Sequence, residues 1–359
     1  MTVRVNKPAF NIREKLSELE RPIGLKGSEL MKSETVQDAR DSVSAGRRNL
    51  IINGDMRIAQ RGTTFASFSS GQYSLDRWMM GSANTNYTIT RGTSTLPTGR
   101  DVNTFKIECT TATTNWLDPY QGIEDIHIIE NQTITMSAWV KTNHPEVNFR
   151  QYGMQNFGDL MIPDGQWHHY SATTTLGNLT LAKGGNIGSA FFGITNKQTT
   201  SWTVGQYIEF THFQIELGKN ATEFEHRPIG EEFALCQRYY QNMNGNVTYG
   251  GINYGETAYT GWQYDATSGS IRIRLPVQMR TNPTASVVGS VTNNPGTDGT
   301  IGTYGNAGWM NATGITATET SPLSLRINVT GLSGSGKDAW GLYFYGTYLT
   351  ANVKLEAEL

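Results

Sequence analysis

The sequence predicts a mainly β protein that carries a short helical arm at its N-terminus. Charged residues make up 17% of the chain, below the roughly 25% of an average globular domain, and 39 of the 359 residues are glycine. This composition is typical of many short strands joined by turns. The charges are unevenly distributed, because residues 1–50 hold 17 of them and the remaining 309 residues hold 43. The first 50 residues and the rest of the chain therefore differ in charge density, and we expect them to form different structures.

The N-terminal part has the pattern of short amphipathic helices. Asn11 and Glu14 resemble a capping box. An apolar stripe then recurs at spacings of four, three and four residues, formed by Ile12, Leu16, Leu19 and Ile23. Helices this short do not bury a core of their own. We therefore predict that residues 1–48 form an oligomerisation or attachment arm whose stripe packs against another part of the chain, another copy or a different protein.

From residue 49 onward the apolar period changes to two, which predicts strands with one buried face. The clearest strand is Thr133–Thr142, in which isoleucine, methionine, alanine and valine alternate with polar residues and with Trp139. Other alternating segments are 105–109, 167–173 and 206–217. In the last of these, Tyr207 and Phe213 are predicted to share a face. We predict an antiparallel β-sandwich over residues 49–230.

A second β domain is predicted over residues 231–359. It begins with a linking helix at 231–243, the one persuasive helical segment after the arm. Strands then resume at 271–277, 324–330 and 352–359. Whether this domain is a tip or a trimerisation clamp stays open at this stage.

Composition and charge argue against several classes of protein. A net charge of −2 gives no electrostatic reason to bind nucleic acid or an anionic membrane. No segment approaches the roughly 18 apolar residues of a membrane span, and the first residues lack the apolar core of a signal peptide. We expect a soluble chain made in the cytoplasm, without membrane insertion. Cys109 and Cys236 are expected to be buried and unpaired.

Two motifs resemble a catalytic or metal-binding site but lack a feature that such a site requires. GLSGSGKD at 331–338 resembles a phosphate-binding loop, but Asp338 stands where that loop needs serine or threonine. His168 and His169 are neighbours in a predicted strand, so their side chains point to opposite faces and do not share an ion.

The acidic residues Glu124, Asp125 and Glu130 offer oxygen ligands for calcium, but they lack the spacing of a dedicated loop, and a solvated strand edge is favoured. No serine-hydrolase signature occurs. We therefore assign no catalytic residue, metal ligand or cofactor, and expect a binding protein rather than an enzyme.

Aromatic residues in polar or glycine-rich surroundings are candidates for sugar binding, because a flat ring covers the apolar face of a sugar while amides bond its hydroxyls. Trp139 lies on the polar side of its strand, although packing under a second layer is an alternative. The remaining candidates are Trp116, Tyr120, Gln121, Trp262 and Trp309.

Several segments resemble tail fibres and receptor-binding fibre proteins of tailed bacteriophages. They are NLIINGDMRIAQRG at 49–62, YSLDRWMM at 73–80, FQIELGKNATEFEHRPIGEEFALCQRYYQ at 213–241 and LPVQMRTNPT at 275–284. Residues 6–35 are similar to the N-terminal module of such fibres. The resemblance covers residues 6–80 and 207–284.

The resemblance implies a virion protein, usually a homotrimer, whose N-terminus attaches to a tail or baseplate protein. It also implies that residues 49–230 form a jelly roll similar to carbohydrate-binding modules, in which the NGD sequence opens the first strand. The expected ligand is a host surface polysaccharide or lipopolysaccharide, and no catalytic residues are implied. The alternatives are a collar or baseplate connector without receptor binding and, less favoured, a glycan depolymerase.

Overall fold

Strands dominate the chain, as its composition predicted. The structure is a computed structural model that describes residues 48–81, 86–115, 117–152, 156–180, 189–196, 201–243, 246–249, 252–255, 259–265, 267–291, 300–305, 308–310, 312–332, 339–345 and 352–358. The arm residues Ile12, Leu16, Leu19 and Ile23 lie outside these ranges, as does most of the loop at 331–338.

The first sandwich consists of eleven strands. They are β1 (Thr64–Phe65), β2 (Met79–Met80), β3 (Tyr87–Thr95), β4 (Asp101–Cys109), β5 (Pro119–Gly122), β6 (Thr133–Thr142), β7 (Val147–Gln151), β8 (Asn156–Phe157), β9 (His168–Thr175), β10 (Phe191–Asn196) and β11 (Tyr207–Leu217). One sheet has six strands in the order β1-β3-β4-β11-β6-β9, and the other has five in the order β2-β5-β10-β7-β8. From β4 to β11 the chain passes repeatedly between the two sheets, which is jelly-roll connectivity. The predicted sandwich is confirmed.

Aromatic rings fill the space between these two sheets. Trp78 is fully buried, and its ring centroid lies 5.1 Å from that of Phe210 and 5.3 Å from that of Phe213. Both contacts are edge-on, the arrangement that aromatic quadrupoles favour. The indole Nε1 of Trp78 donates to the carbonyl of Asn53 at 3.2 Å, so burying the ring leaves no unpaired donor.

A β-bulge explains why two phenylalanines three residues apart both face this core. The pairing of β11 with β6 shifts register between Thr211 and Gln214, and His212 there has φ of 51°. A bulge adds one residue to a strand and changes which side chains face inward. Tyr207, on the other side of the bulge, is half-buried and therefore does not share the inner face with Phe213, contrary to the sequence prediction.

The second sandwich follows the helix α1 (Ile229–Gln237). Its strands are β12 (Tyr240–Met243), β13 (Asn246–Tyr249), β14 (Ile252–Gly255), β15 (Tyr259–Gln263), β16 (Ser268–Arg274), β17 (Thr284–Val288), β18 (Ser290–Val291), β19 (Thr300–Gly305), β20 (Gly308–Met310), β21 (Gly314–Ser321), β22 (Ser324–Thr330), β23 (Ala339–Tyr345) and β24 (Asn352–Glu356).

Two sheets of the second sandwich share one apolar core. An eight-stranded sheet runs β18-β19-β23-β15-β16-β22-β21, with β20 beside β19, and a three-stranded sheet runs β12-β24-β17. Ile273 and Ile327 from the large sheet and Leu355 from the small sheet belong to the same buried cluster. The opposite face of the large sheet points away from this core. The predicted second antiparallel β domain is confirmed.

Two local predictions were wrong. The helix ends at Gln237, not at 243, because Tyr240–Met243 pairs with β24 and joins the small sheet. The NGD sequence at 53–55 forms a turn and opens no strand. Asn53 has φ of 57° there, a conformation that asparagine tolerates better than most residues. Its side chain accepts from the amide of Ile58 at 2.9 Å and donates to the Asp76 carbonyl at 3.1 Å.

The two sandwiches meet in a cluster of buried and half-buried charged and aromatic groups, hereafter the junction, formed by Arg61, Arg77, Glu124, Arg238, Tyr239, Tyr240 and Glu358. Arg77 bonds Glu358 and the Gly122 carbonyl, and its guanidinium lies 3.5 Å from the Tyr239 ring centroid. Arg61 pairs with Glu358 at 3.1 Å and lies 3.8 Å from the Tyr240 ring centroid. Arginine suits such sites because it combines forked hydrogen bonds with stacking.

A second buried ion pair, Arg227 with Glu232, lies beside the NGD turn. Arg227 donates to the Ile51 carbonyl at 2.9 Å and pairs with Glu232 at 3.2 Å. Glu232 also accepts from the backbone amide of Asn53. These contacts and those of the junction bring together the segments 49–62, 73–80 and 213–241. The same segments carry most of the resemblance to fibre proteins.

Gly193 allows β10 to lie close to β5. A Cβ atom at this position would collide with the carbonyl oxygen of Pro119 and would lie 2.9 Å from Cδ1 of Tyr120. Because overpacking forces the backbone to move, we expect Gly193→Ala to lower the free energy of unfolding by about 3 kcal/mol in urea titrations. Gly177→Ala is the matched control, since a Cβ there has open space. Equal stability of the two variants would contradict this account of β10.

Candidate functional site

Two of the predicted aromatic-site residues lie inside the fold. Tyr120 is fully buried with Met79 and Phe191 on the outer side of the five-stranded sheet. Gln121 is 1% exposed, and its amide both accepts from the backbone amide of Ile52 and donates to the Ile52 carbonyl, each at 2.7 Å. Side chains with these partners stabilise the fold, and we place neither on a binding surface. Trp116, together with the side chain of Trp309, lies outside the described residues.

Trp139 is half-buried on the outer face of the six-stranded sheet. Its ring centroid lies 5.5 Å from that of His169, which occupies the paired position on β9. The neighbouring His168 points to the other side and bonds Asp164 at 3.0 Å, so the predicted separation of the two histidines is confirmed. Trp139 thus presents part of its ring at the surface and packs the rest against an imidazole.

A group of imidazole and phenyl rings near Trp139 was not predicted. The ring of His212, in the β11 bulge, stacks on Phe224 with centroids 4.4 Å apart, and His226 lies edge-on to both. The pKa of His212 is lowered to about 3, mainly by burial and in part by the nearby His226 and Arg100. A bulge that buries one histidine against Phe224 has no signature in the alternation of β11.

Buried neutral histidines give the protein a stability that depends on pH. Burial lowers the pKa of His212 to about 3 and that of His144 to about 4, against 6.5 for both when unfolded. The unfolded chain therefore binds more protons as pH falls below 6.5, and folding is destabilised. Asp76 has the opposite effect between pH 3.8 and about pH 6. Because burial raises its pKa, the folded chain binds more protons there than the unfolded chain, and a fall in pH stabilises the fold.

We expect His212→Asn to flatten this dependence. Asparagine tolerates the positive φ at this position but does not titrate. The free energy of unfolding of the native chain should fall by about 3 kcal/mol more than that of the variant between pH 7 and pH 4, at roughly 1.36 kcal/mol per pH unit. Urea titrations at both pH values measure the difference. His127→Asn, at a side chain that is 85% exposed, is the control, and identical slopes for the native chain and His212→Asn would exclude the assignment.

Trp262 and Tyr264 form the most exposed aromatic pair among the described residues. Trp262 is 62% exposed and Tyr264 is 59% exposed, whereas Gln263 between them is fully buried. The pair stands on the outer face of the eight-stranded sheet, since Tyr264 extends the β15–β16 ladder by donating its amide to the Ser268 carbonyl at 3.1 Å. Large apolar groups exposed side by side on a sheet face are a common feature of binding surfaces.

Polar residues continue this face across β16, β22 and β21. Strand pairing places Ser270, Asn328 and Thr316 in one row with Trp262. The next row contains Arg272, Arg326 and Thr318. Arg274 follows on β16, and both it and Arg272 are exposed. We name this set the Trp262 surface: Trp262, Tyr264, Ser270, Arg272, Arg274, Thr316, Thr318, Arg326 and Asn328.

Two of the three acidic residues considered for calcium, Glu124 and Glu130, bond to other groups of the protein. Glu124 accepts from Arg238 at 2.8 Å and from the Tyr239 hydroxyl at 2.6 Å. Burial alone would raise the pKa of Glu124, but these hydrogen bonds outweigh it and lower the pKa. Glu130 accepts from the Leu179 amide at 3.0 Å. The described residues contain no group of three or more histidine, cysteine or acidic side chains arranged to hold a metal.

The two cysteines are buried and free, as predicted. Within the described part of the chain, no helix has the length and apolar character needed to cross a membrane.

No family model and no curated protein matches this chain. Among solved structures, it is similar to a candidate sugar binding protein from Bacteroides thetaiotaomicron, with 14% identity, a TM-score of 0.31 and coverage of 48% of this chain and 100% of the other. A tandem CBM22 domain from Paenibacillus barcinonensis matches with 13% identity and a TM-score of 0.28 over 84% of this chain and 99% of the other.

The tripod from the baseplate of bacteriophage Tuc2009 matches with 12% identity and a TM-score of 0.26, over 64% of this chain and 84% of the other. All three TM-scores lie below 0.5, and function is therefore argued from the residues of this chain.

Proposed function

We propose that this chain is a tail-fibre, receptor-binding protein of a tailed bacteriophage that holds a host surface glycan without transforming it. In this proposal it acts as a homotrimer in the virion, attached to a tail or baseplate protein through residues 1–48. The observation that carries glycan binding is the exposed pair Trp262 and Tyr264 on a sheet face that also carries hydroxyl and amide side chains. Sugars need this combination of a ring and hydrogen-bonding groups.

The segments that resemble fibre proteins support the virion part of the proposal. They meet at the junction, where the ion pairs of Arg61 and Arg77 with Glu358 join one sandwich to the other. A receptor-binding protein benefits from a rigid connection, because binding surfaces on a trimer then keep a fixed spacing and several weak contacts add up to strong attachment.

A reconstruction of the whole virion tests the proposal most directly. We expect three copies around a threefold axis, with the arm against the tail and the second sandwich facing outward. Adsorption of the purified full chain to host cells should accompany this position. A copy enclosed on all sides by other virion proteins would overturn receptor binding.

A connector without receptor binding is the second candidate, and the buried ionic junction favours it equally, because a connector also needs rigid units. The two candidates differ in adsorption. A connector should leave host cells unlabelled by the fluorescent full chain, whereas a receptor-binding protein should label them.

Binding without catalysis is tested by incubating the full chain with host capsule and lipopolysaccharide. We expect unchanged chain lengths on size-exclusion chromatography after overnight incubation. Shortened chains that appear with the native protein and not with a heat-denatured sample would identify a depolymerase.

A further inference from the structure

We propose that the Trp262 surface binds a polysaccharide along its length, taking an internal run of several sugar units and not the end of a chain. The inference rests on the proposed function, since it names the form of glycan for a protein proposed to bind glycans. It comes from the spacing of two exposed rings, from the small size of their neighbours and from the register of the strands beside them.

Two exposed aromatic rings stand in line on β15. Trp262 and Tyr264 alternate with the buried residues Gly261 and Gln263, so both rings lie on the same face of the sheet. Residues two apart on a strand are about 7 Å apart. Because one aromatic ring covers the apolar face of one sugar ring, the pair takes two units of the same chain.

Small residues flank the two rings at the paired positions. Trp262 is paired with Ser270 on β16 and with Ala339 on β23. Tyr264 lies opposite Ser268, to whose carbonyl its backbone amide donates at 3.1 Å. A site that encloses a chain end is concave and buries most of its ligand, which requires tall groups around the ring. Serine and alanine at these positions form no such wall, so a sugar chain can continue past the two rings.

Further aromatic positions lie on the same face of the large sheet, beyond β23. Thr303 on β19 pairs with Leu342, a member of the buried core cluster. Its neighbour Tyr304 therefore has its position on the outer face, and Tyr304 is paired with Trp309 on β20. In the order of the sheet β19 is two strands from β15, or about 10 Å. A polysaccharide chain lying across the strands can span that distance, whereas a single sugar cannot.

The thermodynamics of weak contacts favour such a chain as the ligand. A single sugar on one ring binds weakly, because only the surplus over its lost translational and rotational freedom appears as affinity. A chain that covers both rings loses that freedom once and gains two contacts. Internal units also repeat along a polysaccharide, so several copies of the surface in the proposed homotrimer can hold one chain and add avidity.

The test uses the full chain and a panel of immobilised bacterial polysaccharides, from which one that binds is selected by biolayer interferometry. Partial hydrolysis and gel filtration of this polysaccharide give fractions from single units to long chains of known mean length. Isothermal titration calorimetry then measures, for each fraction, the affinity and the number of protein molecules bound per chain.

Four variants are measured on the same fractions. Trp262→Ala and Tyr264→Ala probe the two rings, and Trp309→Ala probes the extension to β20. Phe233→Ala is the matched control, because it removes an aromatic ring that is 39% exposed on α1, outside the surface.

We expect the number of protein molecules bound per chain to increase with chain length. Affinity should rise about 100-fold over the first few units and then level off, as expected for two added contacts of about tenfold each. Trp262→Ala and Tyr264→Ala should each lower the affinity for long fractions about tenfold and make it level off at shorter lengths. Trp309→Ala should weaken binding of long fractions only, and Phe233→Ala should bind like the native chain.

Each contrary result has its own meaning. One protein molecule per chain at every length would identify a site for chain ends and overturn this inference, while the proposed function would stand. Equal affinity for single units and long fractions would do the same. Native affinity of Tyr264→Ala at every length would overturn the pair of rings, and native affinity of Trp309→Ala for the longest fractions would overturn the extension to β20. Failure of the native chain to bind any polysaccharide or host cell would remove the proposed function and this inference together.

Discussion

Replacing Arg77 by methionine is expected to cost the protein about 3 kcal/mol of unfolding free energy, the lower end of the range for breaking a buried ion pair. Arg77 is 1% exposed and bonds both Glu358 and the Gly122 carbonyl. The variant leaves Glu358 with a single cationic partner, Arg61, in a site that is 9% exposed. It also removes the guanidinium from the Tyr239 ring.

Urea denaturation followed by tryptophan fluorescence measures this loss. Lys106→Met is the control, because Lys106 pairs with Glu108 at a surface where the partners are 31% and 44% exposed and such pairs contribute about 0–1 kcal/mol. The double variant Arg77→Met with Glu358→Gln should recover part of the loss, since it removes the buried carboxylate that has lost one of its two cationic partners. A loss for Arg77→Met no larger than that for Lys106→Met would show that the junction does not depend on this pair.

The bounds of a strand were predicted correctly where apolar and polar residues alternate regularly. Thr133–Thr142 and Ser324–Thr330 have the predicted bounds, because a strand with one buried face repeats every two residues and needs no knowledge of its partners. The break in β11 is different. It arises from a bulge at His212 in the pairing with β6. The pairing between two distant segments cannot be predicted from the sequence of either segment alone.

The predicted end of α1 was wrong for the same reason. Residues 240–243 have helix-compatible composition, yet they form a strand because β24, more than 100 residues away, offers hydrogen-bond partners. Tertiary contacts often override local preference in this way. The buried ionic junction was equally hidden, since arginine and glutamate are usually exposed and only the structure shows which of them meet.

Candidate site residues were the least predictable part. Trp262 and Tyr120 had similar surroundings in the sequence, since each is followed directly by glutamine and lies close to glycine. One is 62% exposed and the other is fully buried. The difference depends on which sheet face has a second layer above it. The row of arginines beside Trp262 depends on the register of β16 against β22 and was likewise not foreseen.

Replacing Trp78 by alanine is expected to lower the unfolding free energy by about 3–5 kcal/mol, the range for removing a buried tryptophan or phenylalanine. The variant loses edge-on contacts with Phe210 and Phe213 and leaves the Asn53 carbonyl without its indole donor. A cavity of this size in the centre of the first sandwich is too large for neighbouring rings to fill without distortion.

The same substitution at Trp262 is the matched control, because its ring is 62% exposed and exposed side chains contribute about 0.5 kcal/mol or less. In urea denaturation, Trp78→Ala should therefore lose at least about 2.5 kcal/mol more unfolding free energy than Trp262→Ala. In glycan binding, measured where both variants are folded, Trp262→Ala should lose more affinity than Trp78→Ala. A comparable loss of stability from Trp262→Ala would mean that this ring is covered in the assembled protein by another copy, and it would turn the Trp262 surface from a ligand-binding face into an interface between subunits.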